Sequence, residues 1–252
     1  MDYVYRAAAL LAAGLAAGLV GTAGGITSLV SYPALLAVGL PPLPANVSNI
    51  VALVACGPGA GLASRPELTG QGSWLRRWAP VAALGGALGS ALLLSTPPGL
   101  FARVVPFLVL TGSLALLAQP RLSAYCQRHS MRTGAALPAG LTTMSLYNGY
   151  FGAGSGVMIL ALLLFTTDPE LPKANALKNM VLSAATVVSA VAFVLFGSVA
   201  WTAVVPLGAG MFAGSTLGPR VTRRVPAGMM RWLIALLGIV LAAELWLHAG
   251  TM

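Results

Sequence analysis

Two glycine clusters, each beside amide and hydroxyl side chains, are the parts of the sequence best suited to bind a ligand. Three glycines fall within residues 21–25, and three more within residues 152–156. Glycine weakens a helix, so each cluster predicts a break that leads into a new, short helix. The N–H groups and the dipole at the start of a helix favour a bound anion. Each cluster therefore predicts half of an anion site.

Polar side chains recur beside both clusters. An amide inside a membrane caps a helix, bonds to a neighbouring helix or binds a ligand, and recurrence beside both predicted breaks favours the last of these. The candidate substrate-binding residues are Gly24, Gly25, Thr27, Ser28, Asn46, Asn49, Tyr147, Asn148, Ser155, Gly156, Asn175, Lys178 and Asn179. Lys178, about one turn inside a predicted helix, has two interpretations: it extends to the cytoplasmic surface, or it offsets the charge of a bound anion.

The remaining reactive side chains indicate no other chemistry. The acids and histidines fall in predicted loops, termini or helix ends, where they cannot form a proton relay at mid-membrane: Asp2, Glu67, Asp168, Glu170, Glu244, His129 and His248. Cys56 and Cys126 belong to no metal-ligand motif, so no metal and no cofactor is predicted. The sequence contains no nucleophile–base pair and no HExxH motif, which argues against an enzyme.

The composition defines the elements that must position these residues. Of the 252 residues, 58% are hydrophobic and 8% are charged, whereas soluble domains carry about 25% charged residues. Continuous apolar runs rich in Ala, Leu and Gly predict membrane-spanning helices, since barrel strands would alternate apolar and polar residues. The net charge of +9 is best explained by basic loops that orient the protein, and no nucleic-acid partner is predicted.

The predicted fold is an all-α polytopic membrane protein made of two copies of about five helical segments. The copies comprise residues 1–118 and 134–252, and a cytoplasmic linker, residues 119–133, joins them. Trp74 and Trp201, Pro80 and Pro206, and Gly89 and Gly214 recur in the same order. The predicted segments cover about residues 7–24, 26–40, 45–64, 76–96 and 100–118, then 134–152, 155–167, 173–196, 200–218 and 228–248.

Loop charges predict the topology. Five segments per copy place 12 of the 14 basic residues on one side, leaving Arg6 and Arg103 on the other. If each glycine-broken pair formed one span instead, the basic residues would divide evenly. Because basic loops remain in the cytoplasm, the first arrangement is favoured, with both termini periplasmic and the two copies inverted relative to each other. Inverted repeats with interrupted or re-entrant helices are typical of secondary transporters.

The chain resembles the TauE/SafE permeases. The resemblance rests on Gly18-x-x-Gly21-x-x-Gly24-Gly25 with Pro44-Ala45-Asn46-x-x-Asn49, and on Gly149-x-x-Gly152-x-Gly154-x-Gly156 with Lys173-Ala174-x-x-x-Lys178-Asn179. It covers essentially the whole chain. It implies transport, often export, of sulfite or a C2 sulfonate such as sulfoacetate, across the bacterial inner membrane. Asn46 and Asn175 depart from the family pattern, which often has Thr or Ser near these positions.

We therefore expect an exporter of a small organosulfur anion that works by alternating access between the two copies. The alternatives are an anion channel, a carrier for a different small solute such as a cation, and a structural membrane subunit. The absence of mid-membrane carboxylates argues against a cation substrate. The expected partners are the lipid bilayer, the anion and, in one possible assembly, a second copy of the chain.

Overall fold

The computed structural model is helical, with no strand among the residues that it describes. These residues are 2–128, 136–167 and 170–222, together with 232, 235–236, 238–243 and 245–246. Within them, the helices with defined bounds are α1 (Asp2–Gly24), α2 (Thr27–Ala37), α3 (Pro42–Leu53), α4 (Cys56–Ala63), α5 (Arg65–Leu68), α6 (Gly72–Ser95), α7 (Pro98–Arg128), α8 (Ala136–Tyr150), α9 (Ser155–Thr166), α10 (Leu171–Phe196) and α11 (Trp201–Thr222).

Several of these helices can cross a bilayer. Within the described ranges, five stretches are long and apolar enough to do so: Val4–Thr22, Pro42–Ala63, Gly72–Ser95, Pro98–Leu122 and Leu171–Phe196. Their outer faces carry large apolar side chains, such as Leu84 and Leu88, which are 65% and 55% exposed. Such a surface is stable against lipid but not against water. The prediction of a polytopic helical membrane protein is confirmed.

The helix breaks lie where the glycine clusters predicted them. α1 ends at Gly24 and α2 begins at Thr27, with Gly25 between them at φ +72°. α8 ends at Tyr150 and α9 begins at Ser155, with Gly152 and Gly154 at φ +86° and +80°. Residues with a side chain rarely adopt this left-handed conformation, so glycine is what allows the chain to turn here.

The predicted third segment, residues 45–64, is not one continuous helix. It divides into α3 and α4 at a turn formed by Val54 and Ala55. Pro58 lacks an N–H group, and its ring clashes with the carbonyl four residues earlier, which accounts for a break at Val54. Its counterpart in the second copy, α10, is unbroken over 26 residues.

Helix α7 is longer than predicted. It continues to Arg128, so the first ten residues of the proposed linker, 119–128, are helical. At 1.5 Å per residue, its 31 residues extend about 46 Å, which exceeds the roughly 30 Å hydrocarbon core of a bilayer. The end of α7 therefore projects beyond the hydrocarbon layer.

The two predicted copies exchange their first helices. α1 packs along α11, and α8 packs along α6, so the first helix of each copy lies against the fourth helix of the other. Glycines allow the backbones to touch, because a Cβ atom added at Gly18 would contact the carbonyl of Met211 and one added at Gly89 would contact that of Leu146. Close helix contact through small residues is the usual way to join membrane helices.

Helices α8 and α9 return the chain to the end where it started. A Cβ atom added at Gly140, early in α8, would lie 2.8 Å from a methyl carbon of Leu162, late in α9. The same end holds the start of α6 at Trp74 and the start of α10 at Leu177, packed in one apolar cluster. This return is what five segments per copy require of the second copy. The fold is consistent with inverted copies, whose orientation in the membrane remains a prediction.

Several predictions fall on positions outside the described residues. They concern the end of the linker, most of the last predicted segment, the C-terminus and the following side chains: Asp168, Glu244, His129, His248, Arg132, Arg223, Arg224 and Arg231.

Candidate functional site

A cavity of about 60 Å³ lies where the two helix breaks meet. The first break contributes Gly21, Thr22, Gly25, Thr27 and Ser28, and the second contributes Asn148, Gly152 and Ser155. α10 adds Asn179, Leu182, Ser183 and Thr186, and the α3–α4 segment adds Leu53, Cys56 and Ala60. The lining thus combines two helix starts with amide and hydroxyl groups.

The two helix starts touch through their glycines. A Cβ atom added at Gly156 would lie 2.5 Å from the Cα of Gly25, and one added at Gly25 would lie 2.6 Å from the Cα of Gly156. Neither α2 nor α9 has a side-chain cap at its start. The N–H groups of Leu29, Ser155 and Val157 already donate to backbone carbonyls at the breaks. Only the remaining N–H groups of each first turn are available to a ligand.

A network of buried hydrogen bonds fixes the second break. Asn148 Nδ2 donates to Thr186 Oγ1 at 3.1 Å, and Asn148 Oδ1 accepts from Ser155 Oγ at 2.8 Å. Ser155 Oγ is also 2.8 Å from the carbonyl of Gly152. Because Thr186 accepts the amide proton, its own hydroxyl proton is free to be donated into the cavity.

The first break has a similar arrangement around Asn49. Asn49 Nδ2 donates to Ser28 Oγ at 3.1 Å, while Ser31 Oγ donates to Asn49 Oδ1 at 2.6 Å. Asn49 itself does not line the cavity, whereas Ser28 does. The amide of Asn49 thus orients the Ser28 hydroxyl. In the second copy, the amide of Asn148 orients the Thr186 hydroxyl by the same kind of hydrogen bond.

Asn46 and Asn175 each donate a hydrogen bond to the interrupted first helix of the other copy. Asn46 Nδ2 donates to the carbonyl of Tyr150 at the end of α8, at 2.9 Å. Asn175 Nδ2 donates to the carbonyl of Thr22 near the end of α1, at 3.0 Å. These carbonyls have no donor within their own helix, so the amides act as caps between the copies. Neither Asn46 nor Asn175 lines the cavity.

Lys178 is completely buried, so it does not extend to the surface. Its Nζ donates to Asn175 Oδ1 at 2.7 Å, and Lys178 does not line the cavity. No acidic side chain in the described part of the chain pairs with it. Burial therefore excludes the first interpretation, extension to the surface. The second, that Lys178 offsets the charge of a bound anion, stays a prediction, and its Nζ lies beside the Asn175 cap on α1.

Six of the thirteen candidate residues line the cavity: Gly25, Thr27, Ser28, Asn148, Ser155 and Asn179. Asn49 and Gly156 act through lining residues. Tyr147 braces the second break, since its hydroxyl donates to the carbonyl of Ala153 at 2.8 Å. Gly24 lies at the break, where an added Cβ atom would find its nearest neighbour, Ile26, at 3.4 Å.

Ser183 and Thr186 line the cavity but were not among the candidates. They follow Asn179 on α10 at spacings of four and seven residues, which place all three side chains on one face of the helix. A polar stripe with this period, within an otherwise apolar helix, is the signal that could have identified them.

The cavity is lined by both apolar and polar groups and carries no charged side chain. Its described lining contains no Asp, Glu, Lys, Arg or His. The described residues also hold no group of three or more His, Cys, Asp or Glu side chains that could bind a metal. The hydroxyl and amide groups of the lining can form hydrogen bonds with a small polar ligand.

Comparison with known proteins gives concordant matches along the chain. The family model described as "Sulfite exporter TauE/SafE" matches residues 7–245. A probable membrane transporter protein of Haemophilus influenzae is 28% identical, over 96% of both chains. Another, from Sinorhizobium sp, is 26% identical over 94% of this chain and 90% of its own. The probable membrane transporter protein YfcA of Escherichia coli K12 is 24% identical over 91% and 85%. No solved structure gives a significant match.

Proposed function

This chain belongs to the sulfite exporter TauE/SafE family, and on that premise we propose that it exports a small organosulfur anion such as sulfite or sulfoacetate. The anion binds in the cavity between the two helix breaks. Transport proceeds by alternating access, in which the two copies move relative to each other around this site. The role of a membrane transporter agrees with the relatives from three genera, each described as a probable membrane transporter protein.

The observation that carries the proposal is the contact between the two helix starts at Gly25 and Gly156. Two positive ends of helix dipoles converge there on one cavity, which supports a negative ligand. Hydroxyl groups of Ser28 and Thr186, each held by an amide, supply further donors. Irregular backbone at membrane depth is stable only when it is buried or lines a cavity.

The size of the cavity favours a small ligand. Its 60 Å³ accommodates roughly four to six water-sized groups. Sulfite and the sulfonate end of a C2 sulfonate fit this space, whereas a larger organic anion requires the site to open.

The direction of the membrane potential supports export. We place the protein in the bacterial inner membrane with both termini in the periplasm, as the loop charges predict. The inside-negative potential then favours efflux of an anion by about 2.3 kcal/mol per charge per 100 mV. Reporter fusions to each terminus test the orientation, and a cytoplasmic terminus would contradict it.

Flux from proteoliposomes tests the transport proposal. Vesicles that contain the protein, loaded with radiolabelled sulfite and given an inside-negative potential, should release it faster than protein-free vesicles treated in the same way. Sulfoacetate should compete, whereas zwitterionic taurine is the matched control that shares the C2 sulfonate. Asn49→Ala, which frees the Ser28 hydroxyl, should reduce flux without unfolding the protein. Failure of sulfite and sulfoacetate alike to move or compete would reject the proposed substrate class.

Counterflow separates a carrier from a channel. A carrier with one alternating site exchanges labelled substrate against unlabelled substrate on the opposite side, so its flux rises when the far side is loaded. A channel shows no such stimulation. If loading the far side does not raise the flux, the protein is a channel and does not work by alternating access.

A further inference from the structure

The interrupted helices α1 and α8 end in different polar surroundings. At the end of α1, the Thr22 carbonyl accepts hydrogen bonds from Asn175 Nδ2 at 3.0 Å and Asn179 Nδ2 at 3.3 Å. The ammonium group of Lys178 lies 2.7 Å from Asn175 Oδ1. Two amides and one positive charge thus gather at this negative helix end, as its dipole favours.

Among the described residues, the end of α8 has one amide and no charged group in the same place. Asn46 Nδ2 donates to the Tyr150 carbonyl, but Asn46 Oδ1 is buried and has no hydrogen-bond partner within the described part of the chain. The Asn46 side chain is 0% exposed. A buried amide oxygen without a partner is costly, and such atoms are rare in folded proteins.

The internal repeat identifies the group that is missing. The offset that pairs Asn46 with Asn175 pairs Asn49 with Lys178, so an amide stands where the other copy has an ammonium group. Asn49 does not replace that group, because its side chain is bonded to Ser28 and Ser31. The positive charge beside Asn175 Oδ1 therefore has no counterpart beside Asn46 Oδ1.

We propose that a monovalent cation, best probed with Na⁺, binds at Asn46 Oδ1 beside the end of α8. It occupies the place that the Lys178 ammonium fills in the other copy. Amide and backbone carbonyl oxygens are suitable ligands for such a hard cation. The Tyr150 carbonyl accepts from Asn46 Nδ2 but has a second lone pair, and the helix dipole is negative at this end of α8.

This cation site is separate from the anion cavity but mechanically linked to it. Asn46 does not line the cavity. The segment that follows Tyr150 contains Gly152 and leads directly into α9, whose start does line it. A cation at the end of α8 therefore stabilises the break that presents the α9 helix start. The site does not depend on which anion is carried.

Equilibrium binding of ²²Na⁺ to the purified protein in choline buffer tests the proposal without any transport measurement. Binding should be saturable and should be displaced by unlabelled NaCl but not by choline chloride. Asn46→Ala should weaken it at least about tenfold, as expected for loss of a ligand. Ser145→Ala is the matched control, because Ser145 also has a buried, unpartnered oxygen on α8, and it should bind ²²Na⁺ like the wild type.

A gain-of-charge variant tests the comparison between the copies. Asn49→Lys should abolish ²²Na⁺ binding, because its ammonium group would fill the site as Lys178 does in the second copy. NaCl should also raise the Tm of the wild type above its value in choline chloride of equal ionic strength.

The wild type alone can overturn the inference. A protein that binds no saturable ²²Na⁺, and melts identically in both salts, has a water molecule or nothing at Asn46 Oδ1. Unchanged binding in Asn46→Ala or Asn49→Lys would equally refute the site. None of these results decides the proposed function, which the sulfite flux experiment tests independently.

Discussion

Replacing Gly156 by alanine tests whether the two helix starts must touch. The added Cβ atom would lie 2.5 Å from Gly25 Cα and 2.8 Å from Gly25 O. Carbon atoms pack best at about 3.5–4.0 Å, so the two starts must separate by about 1 Å. The obstructing atoms belong to the backbone, and no side-chain rotation relieves the contact.

The expected effect of Gly156→Ala follows from that displacement. Overpacking of this kind typically costs about 1–3 kcal/mol of stability. A shift of about 1 Å also lengthens hydrogen bonds from the helix starts to a bound anion beyond their normal range. Loss of one such bond to a charged ligand costs about 1.5–3 kcal/mol, which corresponds to roughly 10- to 150-fold weaker binding.

Gly24→Ala is the matched control for this experiment. Gly24 belongs to the same kind of break, but an added Cβ atom would meet only the Ile26 side chain, at 3.4 and 3.5 Å. Sulfite affinity and Tm should be measured on both purified variants. We expect weak binding and a lower Tm for Gly156→Ala, and nearly wild-type values for Gly24→Ala. Equal affinity in both variants would show that contact between the helix starts is irrelevant to binding.

Three further outcomes are expected. Thr186→Val should weaken sulfite binding by about 1–3 kcal/mol, because it removes a hydroxyl donor and leaves Asn148 Nδ2 without its acceptor. Calorimetry measures the affinity, and an unchanged value would exclude Thr186 from the site. Gly89→Ala should lower the Tm, since its Cβ atom would strike the backbone of α8, whereas Gly99→Ala meets nothing within 4 Å and should not; equal Tm values would contradict the close packing of α6 and α8. Cys56 lines the cavity, so in a Cys126→Ser background sulfoacetate should slow its modification by a small thiol reagent. The same background carrying Cys56→Ser is the unreactive control, and a rate independent of sulfoacetate would place the anion elsewhere.

The glycine clusters were predictable because their effect is local. Gly25, Gly152 and Gly154 adopt backbone angles that glycine permits, and both breaks lie where the sequence placed them. The long apolar helices were predictable for the same reason, since length and composition are properties of each segment alone. The turn at Val54 was also encoded locally, by Pro58, but the apolar composition of the whole segment obscured it.

The partners of the polar residues were not predictable from the sequence. Asn46 and Asn175 were expected to bind the ligand, yet they cap helices that are more than 100 residues away in the chain. Lys178 was expected at the surface or at the anion, and it is buried against Asn175. Which face of a helix meets which neighbour depends on packing between distant segments, and one sequence does not contain that information.

The exchange of first helices between the copies has a consequence for biogenesis. α1 leaves the ribosome first, but the surface of α11 against which it packs is made roughly 200 residues later. Until then the glycine stripe of α1 faces lipid and must rely on other partners. Each half lacks the helix against which its own first helix packs, so a truncated first half should remain open to proteolysis. Synthesis of the second half in the same cell should protect the first half, since each fragment carries the helix against which the first helix of the other packs.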